Sequence, residues 1–168
     1  MTAARRQRAS TPALVLLSER GVEHDVHEYE HDPASTDFGQ EAARCLQVDP
    51  RQVFKTLIWQ VDDRPCVAVV PVSTTVSPKK LAAALGARRA HLVDVTTAQR
   101  LSGSVVGAIS PLGLRRSLDV VVDASALDHG RVFVSAGRRG VEISLPPQTL
   151  IELTGATVAS ICGDAARQ

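Results

Sequence analysis

Leu57-Ile58-Trp59-Gln60-Val61-Asp62-Asp63-Arg64-Pro65-Cys66-Val67-Ala68-Val69-Val70-Pro71-Val72 is the stretch that decides the fold. Asp62-Asp63-Arg64-Pro65 carries turn chemistry between two apolar runs, so the segment predicts a hairpin with strands over 57–61 and 66–72. A strand with one wet face alternates apolar and polar residues. Here the aliphatic run is nearly continuous, which calls for cover on both faces.

Working outward, short runs over 22–29, 91–93, 118–122, 131–134, 141–145 and 158–162 also read as strands. Helices are signalled by their ends. Thr11-Pro12 is a cap followed by a first-turn proline, Ala13, Leu14 and Leu17 form the stripe, and Gly21 closes it. A second helix is expected over 35–46 and a third over 79–85, the latter behind Ser77-Pro78. A short helix starts at Thr96 or Thr97 and stops at Gly103, and a last one runs from Pro146-Pro147 to Leu153. The tally is about seven strands and four or five helices with no repeat of βαβ length. That pattern predicts an α+β fold: a curled, barrel-like mixed sheet with helices packed outside. One domain is expected over 10–162, preceded by a loose arm over 1–9 and followed by a tail over 163–168.

The 168 residues are 44% apolar and 22% charged, with one Trp, one Tyr and three Phe, so the core must be aliphatic. A net charge of +1 excludes a global field that draws in nucleic acid, and no DNA partner is expected. The cations come in local pairs instead: Lys79-Lys80, Arg88-Arg89, Arg115-Arg116 and Arg138-Arg139. Cys45, Cys66 and Cys162 form no CxxC and no even set, which argues against a disulfide framework or a zinc site and fits a reducing compartment. The apolar run over 13–17 is too short for a signal peptide or a membrane span, so a cytoplasmic protein is expected.

Two features carry chemistry. Lys55 stands between Phe54 and a run of buried strand residues, where an ammonium is costly unless it is needed. It either snorkels to solvent or faces a phosphate or an ester carbonyl. The second is Val105-Val106-Gly107-Ala108-Ile109-Ser110-Pro111-Leu112-Gly113, in which two β-branched residues end a strand and a stiff Gly/Pro loop follows. Such a loop is either an ordinary connection or a cradle of N–H groups for an oxygen. The 135–140 turn would add backbone donors, at Gly137 among others, and phosphate contacts from Arg138 and Arg139. His24, His27 and His31 lie three and four apart on a strand-like segment, so they do not converge on a metal, and no metal or cofactor is expected. Asp123, at a strand end, is a turn cap or an acid. No catalytic triad, P-loop or dinucleotide fingerprint is present.

Five stretches together resemble one family: Val26-His27-Glu28-Tyr29-Glu30-His31-Asp32-Pro33, Val53-Phe54-Lys55-Thr56-Leu57, Val106-Gly107-Ala108-Ile109-Ser110-Pro111-Leu112-Gly113, Val122-Asp123-Ala124-Ser125-Ala126-Leu127 and Val134-Ser135-Ala136-Gly137-Arg138-Arg139-Gly140. The chain resembles the YbaK/EbsC family of bacterial aminoacyl-tRNA deacylases, which are related to the editing domain of bacterial prolyl-tRNA synthetases. The resemblance implies release of cysteine from Cys-tRNA(Pro), and from Cys-tRNA(Cys), with prolyl-tRNA synthetase as a partner. It places the essential lysine on Lys55 and the Gly/Pro loop on Gly107 and Pro111. It lines the pocket with Tyr29, Phe38, Thr56 and Ser135, together with the loop residues Ala108, Ile109 and Ser110 and the turn residues Gly137 and Arg138. Ala108 and Ala136 stand where the family commonly has Gly, each adding a methyl group beside the expected pocket. With no protein nucleophile in view, the implied mechanism is attack by the substrate's own thiolate. Relatives selective for alanine or serine use a water instead. Two rival readings are a non-catalytic module that binds tRNA or a synthetase, which has no need of Lys55, and a small-molecule esterase, which lacks its nucleophile.

Overall fold

The hairpin sits at the centre of the structure, a computed structural model that describes residues 10–163. The 1–9 arm and the tail beyond Gly163 lie outside the described residues. In chain order the elements are α1 (Pro12–Glu19), β1 (Asp25–Glu28), α2 (Phe38–Leu46), β2 (Phe54–Val61), β3 (Arg64–Pro71), α3 (Pro78–Ala84), β4 (Ala90–Leu92), α4 (Val95–Ser102), β5 (Asp119–Asp123), a 3-10 turn (Ala124–Asp128), β6 (Val132–Arg138), β7 (Val141–Leu145), α5 (Pro147–Thr154) and β8 (Thr157–Ala159).

β2 and β3 pair antiparallel from Phe54↔Pro71 to Val61↔Arg64. They form the middle of a five-stranded sheet of order β4-β2-β3-β5-β8, in which β5 and β8 run parallel to their neighbours. The remaining strands form a three-stranded antiparallel sheet of order β1-β7-β6. The fold is the mixed α+β type expected, with one refinement. The strands do not close into a barrel but divide into two sheets that meet along a seam. There Val53 bridges Phe133 in parallel, and the Phe133 N–H donates to Gln52 O at 3.0 Å.

Strand alternation explains why the hairpin needs cover on both faces. Val67, Val69, Phe54 and Ile58 point into a core shared with the small sheet and with Leu17 of α1, Leu101 of α4 and Leu150 of α5. Cys66, Ala68, Val70, Trp59 and Val61 point the other way, onto Leu81 of α3. A third cluster, Ala42 and Ala43 of α2 with Val53 and Phe133, packs over the seam.

The capping chemistry is mostly as the sequence implies. Thr11 caps α1, Ser77 caps α3 and Gly155 ends α5 in the left-handed region. Asp94, not a threonine, caps α4, its carboxylate accepting from the Thr97 N–H at 2.7 Å. Val105 and Val106 end no strand; they lie in the turn after α4 with no strand partner beside them, and Val105 is exposed. β6 runs further than expected because a bulge between Ser135 and Arg138 takes up Gly137 at φ +97.

The loop over 105–113 is anchored at its far end by Gly113. Its φ is +68, and a Cβ there would lie 2.5 Å from the Pro12 carbonyl carbon at the start of α1. Backbone cannot yield as a flexible side chain can. Gly113→Ala is therefore expected to destabilise the protein by about 1–3 kcal/mol, read as a lower urea midpoint at unchanged slope.

Candidate active site

At the seam the sheets leave a cavity of about 290 Å³. Its walls come from several parts of the chain: the first turn of α2, β2, Val72 after β3, the β4–α4 segment with Leu92, Val93, Val95 and Ala98, the 106–109 loop, and the β6/β7 pair. Each wall has a local cause. Asp37 caps α2 by accepting from the Gln40 N–H at 3.3 Å. Gly39 lets that helix settle on the sheet, since a Cβ there would lie 2.3 Å from Val72 Cγ1. Buried Glu41 reaches back from α2 to accept from the Asp32 N–H at 2.7 Å, and its Oε2 lies 2.8 Å from His31 Nδ1. Burial pushes the Glu41 carboxyl up, but these two partners more than offset that and hold it below its ordinary value.

The loop is fitted to Phe38. Gly107 has φ +87, and a Cβ there would lie 2.4 Å from Phe38 Cδ2. Arg139 completes the contact: its guanidinium carbon is 4.5 Å from the Phe38 ring centroid, and its Nη2 donates to Val106 O at 2.7 Å. Ser135 braces the loop from β6, its hydroxyl donating to Ala108 O at 3.1 Å and accepting from the Gly137 N–H at 3.1 Å. The Val106 N–H donates to Gln99 Oε1 and the Ala108 N–H to Val105 O. The N–H groups of Gly107 and Ile109 have no acceptor among the described residues.

Three polar side chains in the walls are poorly satisfied. Half-buried Lys55 makes no ion pair among the described residues; burial lowers its pKa and nearby Asp37 acts against that. Thr56 Oγ1 is buried without a hydrogen-bond partner. Glu142 is 7% exposed, and burial pushes its carboxyl up to about 8.

Of the residues expected in the site, Phe38, Lys55, Thr56, Gly107, Ile109 and Ser135 line this cavity. Ala108, Ser110 and Pro111 are buried behind the loop, the Ser110 hydroxyl accepting from the Leu112 N–H at 3.2 Å. The methyl groups of Ala108 and Ala136 are fully buried and add nothing to the cavity wall. Gly137 lies in the bulge, and Arg138 is exposed at the end of β6. Tyr29 stands beside the site, its hydroxyl held protonated by burial and by Glu142 and Glu41, with its pKa raised to about 12. Sequence reasoning passed over Arg139 as a brace and Glu142 as a wall. A carboxylate between Val141 and Ile143 gives the same signal that singled out Lys55.

The histidines go elsewhere. His27 Nε2 lies 2.8 Å from Ser144 Oγ, and His24 Nδ1 lies 2.7 Å from Val22 O. Asp123 accepts from the N–H groups of Ser125 and Ile161, so it caps a turn and ties down the chain after β8. Among the described residues no helix is long and apolar enough to cross a membrane.

A family model described as an aminoacyl-tRNA editing domain matches residues 32–153. The chain belongs to this editing-domain family. Its substrates are therefore aminoacyl-tRNAs, and its chemistry is deacylation of the editing type. EbsC of Enterococcus faecalis, described as a proposed Cys-tRNA(Pro)/Cys-tRNA(Cys) deacylase, is 26% identical over 95% of this chain and 97% of its own length. The proline–tRNA ligase of Desulforamulus reducens is 28% identical over 80% of this chain, which spans only 24% of the ligase. A solved structure described as a candidate trans-editing enzyme for prolyl-tRNA synthetase shares the fold, with a TM-score of 0.80 at 22% identity over 97% of this chain and 99% of that one. A hypothetical protein of known structure has a TM-score of 0.83 at 24% identity, over 91% and 100% of the two chains.

In this editing domain, Gly107→Ala is expected to leave the fold intact but to push the loop off Phe38. Displacing a positioning element by about 1 Å can cost about 100-fold. The deacylation rate is the readout, with the circular dichroism spectrum as the control.

Proposed function

We propose that the protein removes misattached cysteine from Cys-tRNA(Pro), and also cysteine from Cys-tRNA(Cys), using the substrate's own thiol as nucleophile. The observation that carries this reading is the make-up of the cavity wall. Its lining includes Lys55 and the loop residues Gly107 and Ile109, whose N–H groups have no acceptor among the described residues, but no cysteine or histidine, and the Ser135 hydroxyl is already engaged. The reaction then needs positioning and electrostatics from the protein rather than a covalent partner.

In this account the aminoacyl end enters the seam between Phe38 and Ile109. The Gly107 and Ile109 N–H groups take the carbonyl oxygen as it gains negative charge. Lys55 holds the phosphate of the terminal nucleotide or polarises the ester. The exposed Leu92 and Val95 at the mouth give the terminal base an apolar surface. The substrate thiol gives up its proton, and its sulfur attacks the carbonyl carbon. The carbon–oxygen bond to the ribose breaks, the ribose oxygen takes a proton, and a four-membered thiolactone leaves. A net charge of +1 gives the isolated domain little grip on tRNA, so prolyl-tRNA synthetase is the proposed source of the charged tRNA.

The test is amino-acid release from Cys-tRNA(Pro), Ala-tRNA(Pro) and a Ser-tRNA, with wild type beside Lys55→Ala. Release of cysteine alone is expected, slowed in the variant by about 100- to 1000-fold. Equal release of alanine or serine moves the enzyme to the water-using branch. Release from none of them leaves a module that binds tRNA or synthetase without chemistry.

A further inference from the structure

Glu142 has no counterpart among the roles assigned so far. It lies on β7, where Val141, Ile143 and Leu145 point into the main core, so its own side chain points the opposite way, into the cavity. Its register partners are Ser135 on β6 and His27 on β1. Neither satisfies it: the Ser135 hydroxyl donates to Ala108 O, and His27 Nε2 pairs with Ser144. Tyr29 is near enough to feel its charge but makes no hydrogen bond to it, and on α2 Glu41 is turned to His31 and Asp32. Among the described residues no cation offsets the carboxylate; burial alone acts on it. Thr56 Oγ1, in the same cavity, is also without a partner.

A nine-tenths buried carboxylate that the protein leaves unpaired is costly, and a ligand that brings a cation with several N–H donors removes that cost. The cavity is polarised in the same sense: Lys55 beside Asp37 on one wall, Glu142 beside Tyr29 on another. An aminoacyl ester of tRNA has matching polarity, with phosphate on the nucleotide side and an ammonium on the amino-acid side. We infer that Glu142 is the acceptor for the α-ammonium group of the substrate, so the site takes aminoacyl esters with a free amino group and rejects N-blocked ones such as peptidyl esters. This inference rests on the deacylase reading above. Burial raises the Glu142 pKa, and an incoming ammonium favours its carboxylate form.

The experiment compares release from Cys-tRNA(Pro) and from the same tRNA after N-acetylation, using wild type, Glu142→Gln and Glu142→Asp. Wild type is expected to favour the free amine by at least about tenfold in kcat/KM. Glu142→Gln is expected to bring that ratio close to one, and Glu142→Asp to restore part of it. Equal wild-type rates on both substrates overturn the inference and leave the deacylase reading standing. So does a Glu142→Gln variant that slows both substrates alike while keeping the ratio. Wild type that releases neither overturns both. The wild-type comparison needs no variant, so a variant that fails to fold does not remove the test.

Discussion

The contact between the Gly107 backbone and the Phe38 ring is the constraint on which the site depends. It brings together a loop that follows α4, the first turn of α2 and, through Arg139, the turn between β6 and β7. No Cβ can stand at position 107, because the ring occupies its place and the backbone has a positive φ there. An exposed cation–π contact contributes only about 0.5–1 kcal/mol, so Arg139 does not hold the assembly alone. Its hydrogen bond to Val106 O and the Ser135 bond to Ala108 O pin the same loop from two sides. A cavity built this way has walls of fixed spacing.

The chemistry follows from where strand alternation sends each side chain. On β2, Thr56 and Ile58 share one face and Lys55 and Leu57 the other, and all four reach the cavity because it opens around the strand at the seam. On β6 and β7, Ser135 and Glu142 are the positions facing away from the main core that line the cavity, while Phe133 packs over the seam and Ser144 pairs with His27. The sheets thus deliver a cation, a buried acid and two hydroxyls to one place, with no cysteine or histidine among the lining residues. Such a set can orient an ester and stabilise developing charge.

Much of this was legible in the sequence. The hairpin was, because a doubly buried strand has to be aliphatic on both faces. Lys55 was, because an ammonium in such a run is anomalous, and Gly107 was, because glycine beside proline marks a backbone that must come close to something. Other features were not. Arg138 and Arg139 are chemically identical neighbours, and only the folded chain shows that the second lies over the Phe38 ring. Val105 and Val106 have strand-forming side chains but no partner strand, and pairing is a property of the whole sheet. Whether the strands close or split into two sheets depends on long-range bridges such as Val53 to Phe133, which no local pattern encodes. Glu142 was within reach of the rule applied to Lys55 and was passed over.

In the proposed reaction this seam supplies geometry and charge while the substrate supplies the nucleophile. The most direct test is to charge tRNA(Pro) with S-methylcysteine, which keeps nearly the size of cysteine but has no thiol to ionise, and to compare its release with that of cysteine. Rapid loss of cysteine and no enzyme-dependent loss of the S-methyl compound are expected of substrate-thiol attack. Release of both at similar rates would contradict it and assign the attack to a water held in the cavity.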